Sequence, residues 1–109
     1  MSSVIIPESL EQLRAMLAAD GKPTLVDFAA SWCGPCKAMA PALEAFAEER
    51  KDSLNVVKVD VDEFHELAAE VGIRSVPTLL VVRNGQALAA KTGAQNKQAL
   101  AQLVDSAVA

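Results

Sequence analysis

A chain of 109 residues, 51% hydrophobic and 22% charged, has room for one core and the composition of a folded globular protein, which excludes a disordered chain. Fourteen acidic residues against ten basic ones give a formal charge of −4, and the basic residues are too scattered to track a phosphate backbone, so no nucleic-acid partner is expected. Only two cysteines, no basic-then-apolar opening and no apolar segment of membrane-spanning length predict a reducing, cytoplasmic setting with no membrane association.

No internal repeat, low-complexity tract or linker divides the chain, so residues 1–109 are expected to form one domain. Ser9 with Gln12 three residues on resembles a capping box, and Leu10, Leu13 and Leu17 at helical spacing predict a helix ending near Asp20-Gly21. Thr24 to Ala30 is a mostly continuous apolar run, the pattern of a strand buried on both faces, with Asp27 inside it. From Cys36, the positions Met39, Ala40, Leu43, Phe46 and Ala47 make an apolar helical stripe to about Arg50, which Pro41 is expected to kink. Leu54 to Val61 reads as a second buried strand, with Val57, Val59 and Val61 on one face and Val56, Lys58 and Asp60 on the other. A short helix from about Glu63 to Glu70 ends at Gly72. Two antiparallel strands, Val76 to Arg83 and Gln86 to Thr92, are joined by a tight Asn84-Gly85 turn. Leu100, Leu103, Val104, Ala107 and Val108 step as one face of a last amphipathic helix. This order predicts an α/β fold: a central mixed β-sheet flanked by helices on both faces, with right-handed crossovers between its parallel strands. The cysteine pair then lies at the carboxyl end of a strand, where open α/β sheets place their chemistry.

Trp32-Cys33-Gly34-Pro35-Cys36 opens the second helix. Unpaired backbone N–H groups and the positive end of the helix dipole stabilise a thiolate there, which makes Cys33 the expected nucleophile. Gly34 is expected to permit a tight turn, and Pro35 to stiffen a first turn in which its missing N–H costs nothing. Cys36, one turn on and on the apolar face, is expected to be the more buried thiol, within reach of a disulfide to Cys33. A purely structural bridge would close too small a loop to constrain the unfolded chain much. A zinc or iron–sulfur site would need further ligands, and the chain offers no other cysteine and His65 as its one histidine, so no metal and no bound cofactor are expected. Redox exchange remains.

Exchange through a mixed disulfide needs a resolving thiol that is deprotonated in a dry place. Asp27, desolvated in an apolar strand, is expected to have a raised pKa and to accept the Cys36 proton through water, although an edge-of-sheet Asp bonded to backbone would fit the same pattern. Lys58 either lies beside Asp27 or carries its ammonium out to solvent, and the alternation leaves both open. Proline at the start of a strand removes a ladder donor, and the rarity of cis X–Pro bonds favours a trans Val76-Pro77. A cis bond would expose the Val76 backbone for pairing with an extended peptide. Trp32, beside a reactive thiol, is read as part of a contact surface in preference to core filling, and His65 as solvated and without a role.

Val26-Asp27-Phe28-Ala29-Ala30-Ser31-Trp32-Cys33-Gly34-Pro35-Cys36-Lys37, Lys58-Val59-Asp60-Val61-Asp62, Gly72-Ile73-Arg74-Ser75-Val76-Pro77-Thr78-Leu79, and Asn84-Gly85 followed by Gly93 stand in register, and together they resemble the thioredoxin family over essentially the whole chain. The resemblance implies the thioredoxin fold and a general protein-disulfide reductase in which Cys33 attacks and Cys36 releases. It implies Asp27 as the buried group that assists Cys36, Lys58 as its charged neighbour, and Pro77 as a cis proline facing the cysteines. The implied peptide groove comprises Trp32, Gly34, Pro35, Val61, Val76, Pro77 and Gly93. Reducing equivalents would come from NADPH through a thioredoxin reductase, and the targets would be disulfide-containing proteins such as reductases that need dithiol recycling. The chain is expected to act as a monomer. Ala29 stands where many members carry a second Trp, and Ser75 where many carry Gly; neither touches the sulfur chemistry. Disulfide oxidants and isomerases tend to carry a His or other polar residue between the cysteines, unlike Gly34-Pro35, and a mere binding subunit would need neither both cysteines nor Asp27.

Overall fold

Hydrophobic periodicity decides which side of each element turns inward, and the computed structural model, which describes residues 2–19 and 21–109, shows where those sides meet. In chain order the elements are β1 (Val4–Ile5), α1 (Leu10–Ala18), β2 (Thr24–Ala29), α2 (Gly34–Glu49), β3 (Asn55–Asp60), α3 (His65–Val71), β4 (Thr78–Arg83), β5 (Gln86–Thr92) and α4 (Lys97–Val108). The strands form one mixed sheet in the order β1-β3-β2-β4-β5, parallel among β1, β3 and β2 and antiparallel from β2 to β4 and β4 to β5. Leu13 of α1 and Leu67 of α3 pack with Val26, Phe28, Val57 and Val59 on one face. Met39, Leu43 and Phe46 of α2, with Leu100 and Val104 of α4, pack with Leu25, Val56, Leu79 and Val81 on the other. The expected α/β sheet with helices on both faces is therefore what forms.

β2 is the central strand, and all six of its residues are buried because both of its faces are covered, which is why its sequence is continuous and not alternating. Successive side chains along it still point to opposite faces, so Asp27 shares with Leu25 the face beneath α2. That strand carries the chain straight into the Trp32–Cys36 segment at the start of α2.

Several boundaries differ from expectation for local reasons. β1 was not expected: two residues are too few to show a period, and the strand exists because Val4 and Ile5 align with Val56 and Val57 of β3. The strand expected from Val76 begins at Thr78, since Pro77 brings no N–H to a ladder. At α1 the Ser9 Oγ accepts the Gln12 N–H (3.0 Å), but the Gln12 Oε1 reaches past Ser9 to accept the Glu8 N–H (2.6 Å), so the capping box closes one residue early. α1 ends at Ala18; of its expected end, Asp20 lies outside the described residues. α2 begins at Gly34, directly after Cys33, as the position of the cysteine motif at a helix start predicts, and runs on through Pro41 to Glu49. α4 begins at Lys97, ahead of the apolar stripe that starts at Leu100, and Asn96 caps it through an Ala99 N–H bond to its Oδ1 (2.8 Å). Asn84 (φ 53°) and Gly85 (φ 76°) both take the left-handed backbone that a two-residue hairpin turn requires. Among the described residues no helix is long and apolar enough to cross a membrane.

Candidate active site at the start of the second helix

Cys33 is the N-cap of α2: its backbone is extended (φ −85°, ψ 110°) and its Sγ accepts the Cys36 N–H at 3.1 Å. The loop into the helix is held by the Cys33 N–H bond to Ala30 O (3.1 Å), and the first turn by the Lys37 N–H bond to Cys33 O (3.2 Å). Pro35 sits in that first turn, where the missing N–H would have had no partner. Gly34 corrects an expectation. Its backbone is helical, not turned tightly, and a Cβ built on it would meet nothing within 4 Å. What the glycine leaves is open space beside Cys33.

The two sulfurs are joined as a disulfide, with Cα atoms 5.3 Å apart. Cys36 is the more buried thiol, as expected, but by a narrow margin: Cys33 is 3% and Cys36 2% exposed, because both turn into one small cluster with Ala29 and Ala30, against which Val61 and Val76 pack. Trp32 next door is 68% exposed and donates its Nε1–H to Asp62 Oδ2 (2.9 Å), which removes core filling as its role.

Asp27 is 1% exposed in the central strand, so the edge-of-sheet alternative falls. Its Cα partners across the sheet are Lys58 in β3 and Leu79 in β4, and its Oδ1 has no hydrogen-bond partner among the described residues. Burial pushes its carboxyl up to about 6 from an ordinary 3.8, and the Lys58 charge pulls part of the way back. Lys58 lies beside Asp27, one of the two readings left open for it, and is partly buried, lining a cleft of about 380 Å³ together with Ser31, Cys36, Lys37 and Phe64. That cleft touches Cys36 and not Cys33.

The Val76-Pro77 bond is cis, as the family resemblance implies and against the trans form that the general rarity of cis X–Pro bonds favours. The tertiary amide before a proline separates the two isomers by only about 1 kcal/mol or less, so surroundings outweigh the general preference. Val76 packs on the cysteine cluster, and Pro77 O accepts the Gly93 N–H (2.9 Å), with Gly93 at φ 89°. His65 is exposed, and no group of three or more His, Cys, Asp or Glu among the described residues could hold a metal ion. Two neighbours escaped the residue-by-residue reading: Asp62, which anchors Trp32, and Asp60, whose Oδ1 accepts the Asp62 N–H (2.8 Å). An Asp-x-Asp just after a strand is a turn signal that marks the second bond but not the first.

The family model described as thioredoxin matches residues 4–106 of this chain. The thioredoxin of Acidithiobacillus ferridurans is 42% identical over 106 residues, covering 97% of this chain and 98% of the relative. A bifunctional thioredoxin reductase/thioredoxin of Mycobacterium leprae is 45% identical over 86 residues, which are 79% of this chain and 19% of that longer protein. Among solved structures, the Malassezia sympodialis thioredoxin matches with a TM-score of 0.85 at 34% identity, covering 98% of this chain and 93% of that one.

Proposed function

The chain belongs to the thioredoxin family and is a dithiol–disulfide oxidoreductase that reduces protein disulfides, and we propose that Cys33 is its attacking nucleophile and Cys36 its resolving thiol. The observation that carries the assignment is the Cys33 Sγ at the N-cap of a 16-residue helix, accepting the Cys36 N–H. A thiolate there gains a hydrogen bond and the favourable end of the helix dipole, and the thiolate is the reactive form.

In the reduced protein the Cys33 thiolate attacks one sulfur of a target disulfide. The target S–S bond breaks, its second sulfur leaves as a thiolate, and a mixed disulfide forms. Cys36 then gives up its proton and attacks the Cys33 Sγ, expelling the target's remaining thiolate and closing Cys33–Cys36. The target has gained two electrons and the pair has lost two. Asp27 accepts the Cys36 proton through water drawn from the cleft that Cys36 lines; a carboxyl held near 6 is ionised at neutral pH yet basic enough to take that proton. Lys58 favours its ionised form. Trp32, Gly34, Pro35, Val61, Val76, Pro77 and Gly93 form the groove for the target chain, where the bare Gly34 leaves room and the Val76 backbone pairs with an extended peptide.

Electrons return from NADPH through a thioredoxin reductase, a reading supported by the Mycobacterium leprae relative, whose name joins the two activities in one protein. The chain works as one domain and as a monomer in the cytoplasm, where a dithiol donor stays reduced, and it recycles enzymes that end their own turnover as disulfides. The test is Cys36→Ser mixed with a disulfide-containing protein: a stable adduct on Cys33 is expected, and an adduct on any other residue overturns the assignment.

A further inference from the structure

The sulfur chemistry makes no use of the bonds that shape the turn after β3. β3 ends at Asp60, and the Val61 N–H donates to Ala29 O (2.9 Å), fastening the turn to the end of β2. The Phe64 N–H donates to Asp60 O (2.9 Å). The Asp60 side chain adds a second layer, its Oδ1 accepting the N–H of Asp62 (2.8 Å) and, at longer range, that of Glu63 (3.4 Å). An aspartate that accepts amides two and three residues ahead fixes the backbone of its own turn. The turn in this way presents Asp62, whose Oδ2 accepts the Trp32 Nε1–H at 2.9 Å across thirty residues of sequence. Trp32 is 68% exposed, so packing alone does not hold its ring, and a side chain free to rotate loses entropy on every contact it makes.

We propose that Asp60 is the positioning residue for Trp32, acting through the Asp62 carboxylate to aim the indole at incoming target chains. This rests on the reading of Trp32 as part of the target groove. Asp60 needs an acceptor oxygen at the right distance for the role and does not need its charge, so Asn can replace it and Glu, one carbon longer, cannot.

The chain has a single tryptophan, so the fluorescence anisotropy of the whole protein reports Trp32 alone. Asp60→Ala is expected to lower that anisotropy and to raise KM for insulin, used as a protein disulfide, by about fivefold, the size of one net hydrogen bond, with a smaller change in kcat. Asp62→Ala should do the same, and the double variant should be no worse than Asp62→Ala alone, because both act through one bond. Asp60→Asn should match the parent in both readouts. Unchanged anisotropy in Asp60→Ala, or effects that add in the double variant, overturns the proposal. Should Asp60→Ala fail to fold, Asp60→Glu is expected to behave as Ala was meant to, and parent-like behaviour in Glu overturns the proposal equally. The groove reading fails separately if Trp32→Ala leaves KM unchanged, and the anisotropy series still decides whether Asp60 holds the ring.

Discussion

α2 and α4 open in the same way. Asn96 Oδ1 accepts the Ala99 N–H at 2.8 Å, and Cys33 Sγ accepts the Cys36 N–H at 3.1 Å; in both the N-cap side chain satisfies an amide three residues on. At α4 the acceptor is an amide oxygen that never ionises, so the bond contributes to the stability of the fold and to nothing else. At α2 the acceptor is a sulfur with two protonation states and two oxidation states. The bond and the dipole then favour the thiolate, the reactive form of that atom, over the thiol. A fold device turns into a redox device when the accepting atom is a sulfur in place of an amide oxygen, provided that an acceptor for the second thiol's proton lies beneath it.

The strongest break in the comparison is Cys33→Ser, which puts an ordinary N-cap at α2. Serine caps helices well, so stability measured by urea unfolding should stay within about 1 kcal/mol of the reduced parent. Target-disulfide reduction should fall at least about a thousandfold, because the atom proposed to attack is gone. Loss of the fold along with the activity would make Cys33 a structural residue.

Next in size is Asp27. Between its ordinary 3.8 and about 6 the native state still holds a proton that the unfolded chain has lost, so the stability this group supports is full below about pH 4 and is lost as pH rises through 6. At about 1.4 kcal/mol per pKa unit the difference reaches about 3 kcal/mol at neutral pH. Asp27→Asn should therefore gain on the parent in urea or thermal unfolding as pH goes from 4 to 7, by up to that amount, with both proteins oxidised. A gap that stays constant with pH would show that Asp27 is ionised in the fold at no cost. The same variant should slow the release of mixed disulfides more than their formation in rapid-mixing kinetics; equal slowing of both steps removes Asp27 from the proton path. Lys58→Met should move the Asp27 titration to higher pH, read by carboxyl NMR, since the Lys58 charge is what now pulls it down.

These two sites differ in how far the chain alone discloses them. Cys33 at a helix start follows from spacing, because Cys36, Met39, Leu43, Phe46 and Ala47 define the buried stripe of α2 and place Cys33 at its head. Asp27 is legible as a charge in a continuous apolar run, and its central position confirms the desolvation that the run suggests. What stayed hidden depends on partners distant in sequence. β1 is two residues defined by β3, the Asp62–Trp32 bond spans thirty positions, and the cis Val76-Pro77 bond is legible only through the family resemblance, since the general preference of X–Pro bonds points the other way. The nearly equal burial of the two cysteines was missed because helical periodicity describes Cys36 and is silent about a residue just outside the helix. Asn96 was missed for the opposite reason: the signal is local, an Asn ahead of a helix, but it lies four residues before the apolar stripe that marks the rest of α4.

That cap supplies the smallest and cleanest test of the comparison. Asn96→Ala leaves the Ala99 N–H without its acceptor at an exposed helix end, where water replaces part of the bond, so the cost should be about 1 kcal/mol in urea unfolding. Asn96→Ser should restore most of it. Ser9→Ala at α1, where the bond to the Gln12 N–H is 3.0 Å, should cost a similar amount. Neither residue belongs to the cysteine cluster or its cleft, so disulfide reduction and the titration of Cys33 should be unchanged in both. A shift of the Cys33 titration on removing the Asn96 cap would mean that the helix starts are coupled through the α2–α4 contact, and the chemistry would then depend on the packing of the whole sheet face and not on one N-terminus.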